Sequence, residues 1–454
     1  MTNINVAKID SFKRKYNITK STPVTRIANI LLEKYKAQDK YIKTVFEEDA
    51  NYFYDGKNGV WQKRLKAYIK KDIRQLLLGY NPGLESKVKI NEIFSALMDI
   101  TASEENKELF DLSINSDLRY INLKNGMYDT DKQKLLDHDP KYYSICQIPV
   151  EYDSKAECGK WKAALKQWIP DKETIMFLQE YIGWCLIPET KFETAIILLG
   201  DGSNGKSTFI EVISRLFGKD NLSNTSLERL TQKSKSRFEF ANLKGKLVNI
   251  NNDVAPRTIK QSSLIKTIIS GQPEKAEKKY ETSHDYRAVV RLIFAANRLP
   301  KALDPTKAWY RRFKIIRFPN TFESDDDCFD IDYKNKLYNE LPGILNWALE
   351  GLHRLKQNNE FSTSDSIKKE KLKYKGVNDP IKSFYESKIV DSPGNTIDKK
   401  EIYGEYTKFC DHLDIKAETQ HKITMRLKGY GVDDKRKSIE GETMRCYSGI
   451  RLKQ

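Results

Sequence analysis

Runs of apolar positions mark out the elements of this chain before any chemistry is considered. Ala195 to Leu199 is an unbroken apolar run of strand length, the pattern of a strand buried on both faces. A loop with three glycines follows. Apolar residues then return at Phe209, Ile210, Val212, Ile213, Leu216 and Phe217, the spacing of an amphipathic helix. Downstream, Gly245 to Asp253 predicts a strand ending in an acid, and Lys260 to Ile269 predicts a helix. The charged stretch 270–280 reads as a hairpin, Ala288 to Ala296 as a strand running into Asn297, and Lys314 to Phe318 as a further strand.

The flanks have different patterns. Residues 1–40 read as a basic helix with a weak stripe at Ile27, Ile30, Leu31 and Leu32. Tyr52 to Trp61 suggests two short strands about a turn, and helices are expected over 65–78 and about 90–100. Residues 119–153 are turn-rich. Trp161 to Trp184 predicts two helices interrupted at Ile169-Pro170-Asp171. Beyond 354 comes a lysine-rich stretch that reads as a tail helix plus linker. From 380 the order is that of a winged helix: helices over 381–389, 399–413 and 419–427, then two strand-like runs about Gly441. The predicted division is 1–118 (helical or mixed), 119–190, 191–353, a linker 354–379, and 380–454.

The loop after the first strand carries the sharpest chemistry. Gly200, Gly205, Lys206 and Ser207 match the phosphate-loop pattern of a glycine, four residues, then Gly-Lys-Ser/Thr. Glycines let the backbone adopt positive φ and bring N–H groups against phosphate oxygens. The helix start adds its partial positive charge. Gly200, Asp201, Gly202, Ser203, Asn204, Gly205, Lys206, Ser207 and Thr208 are therefore the candidate ATP-binding set. Lys206 is expected on the β- and γ-phosphates, and Ser207 on Mg²⁺ with Asp253. Asn297 is a candidate for orienting the attacking water, and the Arg311–Arg312 pair for stabilising transferred charge across a subunit boundary.

Composition narrows the partners. The 454 residues carry a formal net charge of +16, which favours a polyanion. No apolar stretch is long enough for a membrane span, and the first residues lack the apolar core of a signal peptide. Six cysteines without Cys-x-x-Cys spacing fit a reducing, cytoplasmic setting and argue against a zinc site.

Phosphate loop, acid-ended strand, basic hairpin, Asn-ended strand and Arg pair, in that order, resemble the superfamily III helicases, a branch of the AAA+ ATPases. Asn122 to Tyr152, Leu178 to Gly183 and Leu341 to Leu352 are similar to the regions around the motor in poxvirus-type and phage/plasmid primase-helicases. The resemblance extends to the replication initiators of phage satellites and pathogenicity islands. It implies an α/β AAA+ P-loop motor with a mostly helical N-terminal region and a C-terminal winged-helix module. It also implies a DNA helicase working as a homo-hexameric ring on a single strand, 3′-to-5′, with host replication proteins as further partners.

Carried over residue by residue, the likeness makes Asn297 the sensor and Arg312 the finger, with Arg311 second. It puts Lys275, Lys278, Lys279 and Tyr280 on a hairpin gripping DNA in the channel. In the C-terminal module, Gln420, Lys422 and Arg426 would face an origin duplex, and Lys435, Arg436 and Lys437 would contact its phosphates from the wing. The second motif departs from relatives with two adjacent acids, because Asn252 precedes Asp253. That leaves open which group holds metal and which acts as base. A small-molecule kinase built on the same loop also stays open, as does an origin-binding protein that uses ATP only to assemble.

Overall fold

The computed structural model describes residues 16, 18–45, 49–103, 105, 117–232, 236–254, 259, 262–276, 284–300, 307–322, 332–413, 415–439 and 442–453. At its centre is a five-stranded parallel sheet made of β7 (Ala195–Leu199), β8 (Leu222–Ser223), β9 (Val248–Asn251), β12 (Arg291–Ala296) and β13 (Phe313–Arg317). The strand order is β13-β7-β12-β9-β8. Side chains of β7 alternate between two cores, Ile196 and Leu198 on one face and Ala195, Ile197 and Leu199 on the other. Both faces are covered, which explains the unbroken apolar run. The helix α6 (Lys206–Phe217) buries all six apolar positions expected of it.

Two helices of the preceding region, α4 (Gly159–Trp168) and α5 (Lys172–Trp184), pack on the same core as α6 and α12 (Leu341–Asn358). The α5–α12 contact is close enough to need glycine: a Cβ on Gly183 would lie 2.2 Å from the Ala348 carbonyl oxygen, and one on Gly351 would lie 2.3 Å from that of Gln179. Beside this contact Glu180 is fully buried. It accepts from Arg354 Nε at 2.6 Å, and from the Ser362 amide at 2.7 Å and hydroxyl at 2.6 Å. The carboxylate thus ties α5 and α12 to the segment that follows α12.

The segment expected as a tail helix plus linker, 354–379, has its helix and packs against the sheet. Residues 354–358 finish α12, and α13 (Asp365–Asn378) packs along β13, capped by the Ser364 side chain. Tyr374 is buried there and donates its hydroxyl to the Pro300 carbonyl at 2.9 Å. The lysine-rich composition suggested a connector because the helix buries only a narrow stripe, Ile367, Glu370, Tyr374 and Gly376.

The N-terminal part joins α1 (Val24–Lys36), α2 (Lys66–Tyr80) and α3 (Lys87–Thr101) to an antiparallel sheet β1-β2-β3 (Lys40–Val45, Ala50–Asp55, Val60–Lys63). It is mixed rather than mostly helical. The turn-rich block is a three-stranded meander, β4 (Tyr120–Leu123), β5 (Gly126–Asp129) and β6 (Lys134–Leu136). The C-terminal unit runs α14 (Pro380–Lys388), β14 (Ile389–Asp398), α15 (Lys399–His412), α16 (Gln420–Gly429), β15 (Asp433–Ile439) and β16 (Glu442–Leu452). Its sheet order is β14-β16-β15. The sequence pattern misses β14, whose centre is the polar Ser392-Pro393-Gly394-Asn395. Among the described residues no helix is long and apolar enough to cross a membrane.

Candidate nucleotide site at the ends of the parallel strands

The strands are parallel, so their carboxyl ends share one edge of the sheet, the edge where α/β folds bind ligands. Leu199 pairs with Ala296, and Asn251 with Phe294. This register brings the loop after β7, Asn297 after β12, and Asn252 and Asp253 after β9 to that edge. Asp253 and Asn297 are both exposed there.

The loop itself has the backbone that its glycines suggest. Gly202 has φ of +116°, Ser203 +44° and Gly205 +86°. Gly205 caps α6, which begins at Lys206. Space is tight on two sides. A Cβ on Gly205 would lie 2.4 Å from the Trp168 indole, and one on Gly200 would lie 2.8 Å from the Phe318 carbonyl oxygen. The loop is tied down by Gly200 N–H donating to Ala296 O at 3.2 Å and Phe322 N–H donating to Ser203 O at 2.7 Å.

Lys206 is buried and folded back onto the loop. Its ammonium donates to Gly200 O at 2.6 Å and to Asn204 Oδ1 at 3.0 Å. Burial pushes its pKa below the ordinary 10.5, with Asp201 opposing the shift. The Asn204 side chain is buried, and its amide nitrogen has no partner. Ser207, in the first turn of α6, is exposed. A cradle of positive-φ backbone, an under-compensated ammonium, an orphaned amide donor and an exposed hydroxyl suits a polyphosphate. Ser207 and Asp253 have the oxygen donors that Mg²⁺ prefers.

The Arg pair is elsewhere. Arg311 and Arg312 close α10 (Lys307–Arg312), and Phe313, the first residue of β13, pairs with Ala195 at the start of β7. Both guanidinium groups hold Glu193, Arg311 at 2.9 Å and Arg312 at 3.0 Å. The Arg312 side chain is only 11% exposed and that of Arg311 is 68% exposed. One arginine near the loop escapes sequence reasoning. Arg317, at the carboxyl end of β13, lies 3.7 Å from Asp201. No local signal marks it, because its position depends on β13 pairing with β7.

Of the residues expected on DNA, Lys275 is exposed on β10 (Pro273–Ala276), which pairs with β11 (His284–Arg287), so the second strand lies beyond the stretch 270–280 expected as the hairpin. Lys278, Lys279 and Tyr280 lie outside the described residues. On α16, Lys422 is paired with Glu418 at 2.8 Å and Arg426 with Asp379, while Gln420 donates weakly to Lys399 O at 3.4 Å. On β15, Lys435 and Arg436 are exposed and Lys437 continues the strand.

Residues 198–312 match a family of unknown function, DUF5906, and residues 28–172 match the family described as D5 N terminal like. A protein of Invertebrate iridescent virus 6 named "Putative helicase 184R" is 22% identical over 229 residues. That alignment takes in 48% of this chain, which spans only 24% of that relative's length. Among solved structures, the A form apo structure of the NrS-1 C-terminal region is similar with a TM-score of 0.51 at 13% identity. The likeness covers 95% of this chain and 100% of that one. A second apo structure of the same region (305–718) has a TM-score of 0.49 at 14% identity. At such identities the likeness is one of fold. A parallel five-stranded sheet flanked by helices, with this loop at its carboxyl edge, fits a nucleotide-binding, motor-like fold.

Proposed function

We propose that the chain is an ATP-driven DNA helicase and replication initiator that works as a ring. In this reading each site is completed by two copies: Lys206, Ser207, Asp253 and Asn297 from one, the arginine pair from the next. One observation carries it, the split of charged groups between opposite ends of the sheet. The five residues of β13 separate the Arg pair from the loop end by roughly 16 Å at about 3.3 Å per residue, beyond the reach of an arginine side chain. In this reading a second copy brings to the loop the Arg311–Arg312 pair that its own chain holds out of reach. The named helicase relative and the D5-type match support the same direction.

Bound ATP with Mg²⁺ supplies the cleavable phosphoanhydride and offsets its charge. The chain's residues do the rest. The 200–205 backbone and the α6 N-terminus hold the phosphates, and Lys206 leaves its carbonyl partner for them. Ser207 and Asp253 hold the metal, and Asn297 orients water. Arg317 beside Asp201 is a further cation on the same edge. Exposure favours Arg311 as the group that reaches out, whereas the sequence pattern favoured Arg312. Arg312 then acts as a positioning residue through Glu193.

For DNA, the β10–β11 hairpin with Lys275, Lys278, Lys279 and Tyr280 is proposed to track the backbone. The helix–strand–helix–helix–strand–strand order of 380–452 supports a winged-helix reading. In that reading α16 contacts the duplex and Lys435, Arg436 and Lys437 the phosphates. The test is strand displacement together with DNA-stimulated ATP hydrolysis for wild type, Lys206→Ala, Arg311→Ala and Arg312→Ala. A kinase would hydrolyse ATP without regard to DNA. A chain that stays monomeric with nucleotide and DNA yet hydrolyses at full rate would rule out the shared site.

A further inference from the structure

At the opposite end of the sheet from the phosphate loop lies a cavity of about 850 Å³, walled by β13, α13 and the 359–364 segment. That volume is within the range of small-molecule sites. Five cations line it: Lys191, Arg311, Lys314, Lys368 and Lys371. Its acids are Glu193 and Glu360. Glu193 is already occupied by Arg311 and Arg312, and Lys368 is paired outward with Asp365 at 2.9 Å.

Glu360 is exposed, and Lys191 lies over the Phe192 ring at 5.6 Å, which leaves Lys314 and Lys371. Among the described residues neither has a carboxylate partner, and both are partly buried. Burial lowers the pKa of each, and the Lys371 charge adds to the effect on Lys314. A desolvated pair of like charges in a fold is costly unless an anion enters. The other wall is aromatic. Phe361 packs on Phe177 and Phe192 with ring centres 5.0 and 5.2 Å apart, and all three line the cavity. Cations and rings that line one cavity fit a ligand with both a phosphate and a flat apolar part.

We propose that this cavity is a second phosphate-binding site, built for a ligand of nucleotide size, with Lys314 and Lys371 as its anion-holding groups. Within one chain it lies apart from the 200–205 loop, and Arg311, which the proposed ring lends to a neighbour's loop, is on its rim. The segment that forms its wall is fixed by Ser362 on the buried Glu180, so the cavity is preformed.

The test uses the full chain carrying Lys206→Ala, chosen to weaken phosphate binding at the loop. Inorganic tripolyphosphate and a fluorescent oligothymidylate are the probes, read by thermal shift and by anisotropy. Adding Lys314→Gln and Lys371→Gln is expected to weaken tripolyphosphate binding about tenfold per lysine and to abolish its stabilising effect. Without anion the same variant should melt no lower than its parent, since a repulsion is removed. Lys371→Gln alone keeps the test valid if the strand substitution disturbs folding. Lys369→Gln, exposed on the same helix, should change nothing. Loss of tripolyphosphate binding alone assigns the site to a free phosphate chain. Loss of both probes assigns it to a strand's phosphates as well. The proposal is overturned if the Lys206→Ala chain fails to bind tripolyphosphate, or binds it equally with and without the two lysines.

Discussion

Gly205→Ala tests the loop geometry most directly. Two costs add at this position. An alanine forced to φ of +86° carries about 1–2 kcal/mol of backbone strain. Its Cβ would also sit 2.4 Å from the Trp168 indole, a ring buried in the core that also packs on Trp161. Overpacking of that kind costs about 1–3 kcal/mol. The sum, about 2–5 kcal/mol, is expected as a fall in the melting transition of the nucleotide-free chain, read by differential scanning fluorimetry. Gly202→Ala isolates the second term. Gly202 has a positive φ of +116°, but a Cβ there would meet nothing within 4 Å. Gly205→Ala should therefore be the more destabilising by about 1–3 kcal/mol. Trp168→Leu in the Gly205→Ala background should recover less of the loop strain than of the clash. Equal melting of the two alanine variants would refute the claim that Trp168 walls the loop.

Arg311→Ala is expected to lower DNA-stimulated hydrolysis by about 10³-fold or more, and mixing it with Lys206→Ala should restore part of the rate through complementary halves. Glu180→Ala leaves Arg354 and Ser362 without their carboxylate and should cost about 3–5 kcal/mol by thermal unfolding. Glu180→Leu with Arg354→Met should recover much of that loss. Nucleotide affinity, titrated at rising pH, should fall before 10.5, because burial holds the Lys206 pKa below that value and phosphate needs the ammonium. The nucleotide-free chain shows the opposite sign. Its unfolded form keeps the Lys206 proton longer, so this group makes folding more favourable as pH rises toward 10.5.

The sequence alone determined the local units of this protein. The run Ala195–Leu199, the glycines and the 3.6-residue stripe from Phe209 to Phe217 specify strand, cradle and helix, because each rests on contacts between near neighbours. The helices of the C-terminal unit were legible for the same reason, whereas the hairpin read over 270–280 has its second strand at His284–Arg287. Periodicity says which face of an element is buried, but not what buries it. Only the tertiary structure decided that β12 lies between β7 and β9, which sets Asn297 on the loop's edge. It also placed Arg317 near Asp201, the Arg pair at the far end on Glu193, and α13 under β13 rather than free as a linker. Those placements depend on pairings between residues distant in sequence, such as Phe313 with Ala195, and no local pattern carries them.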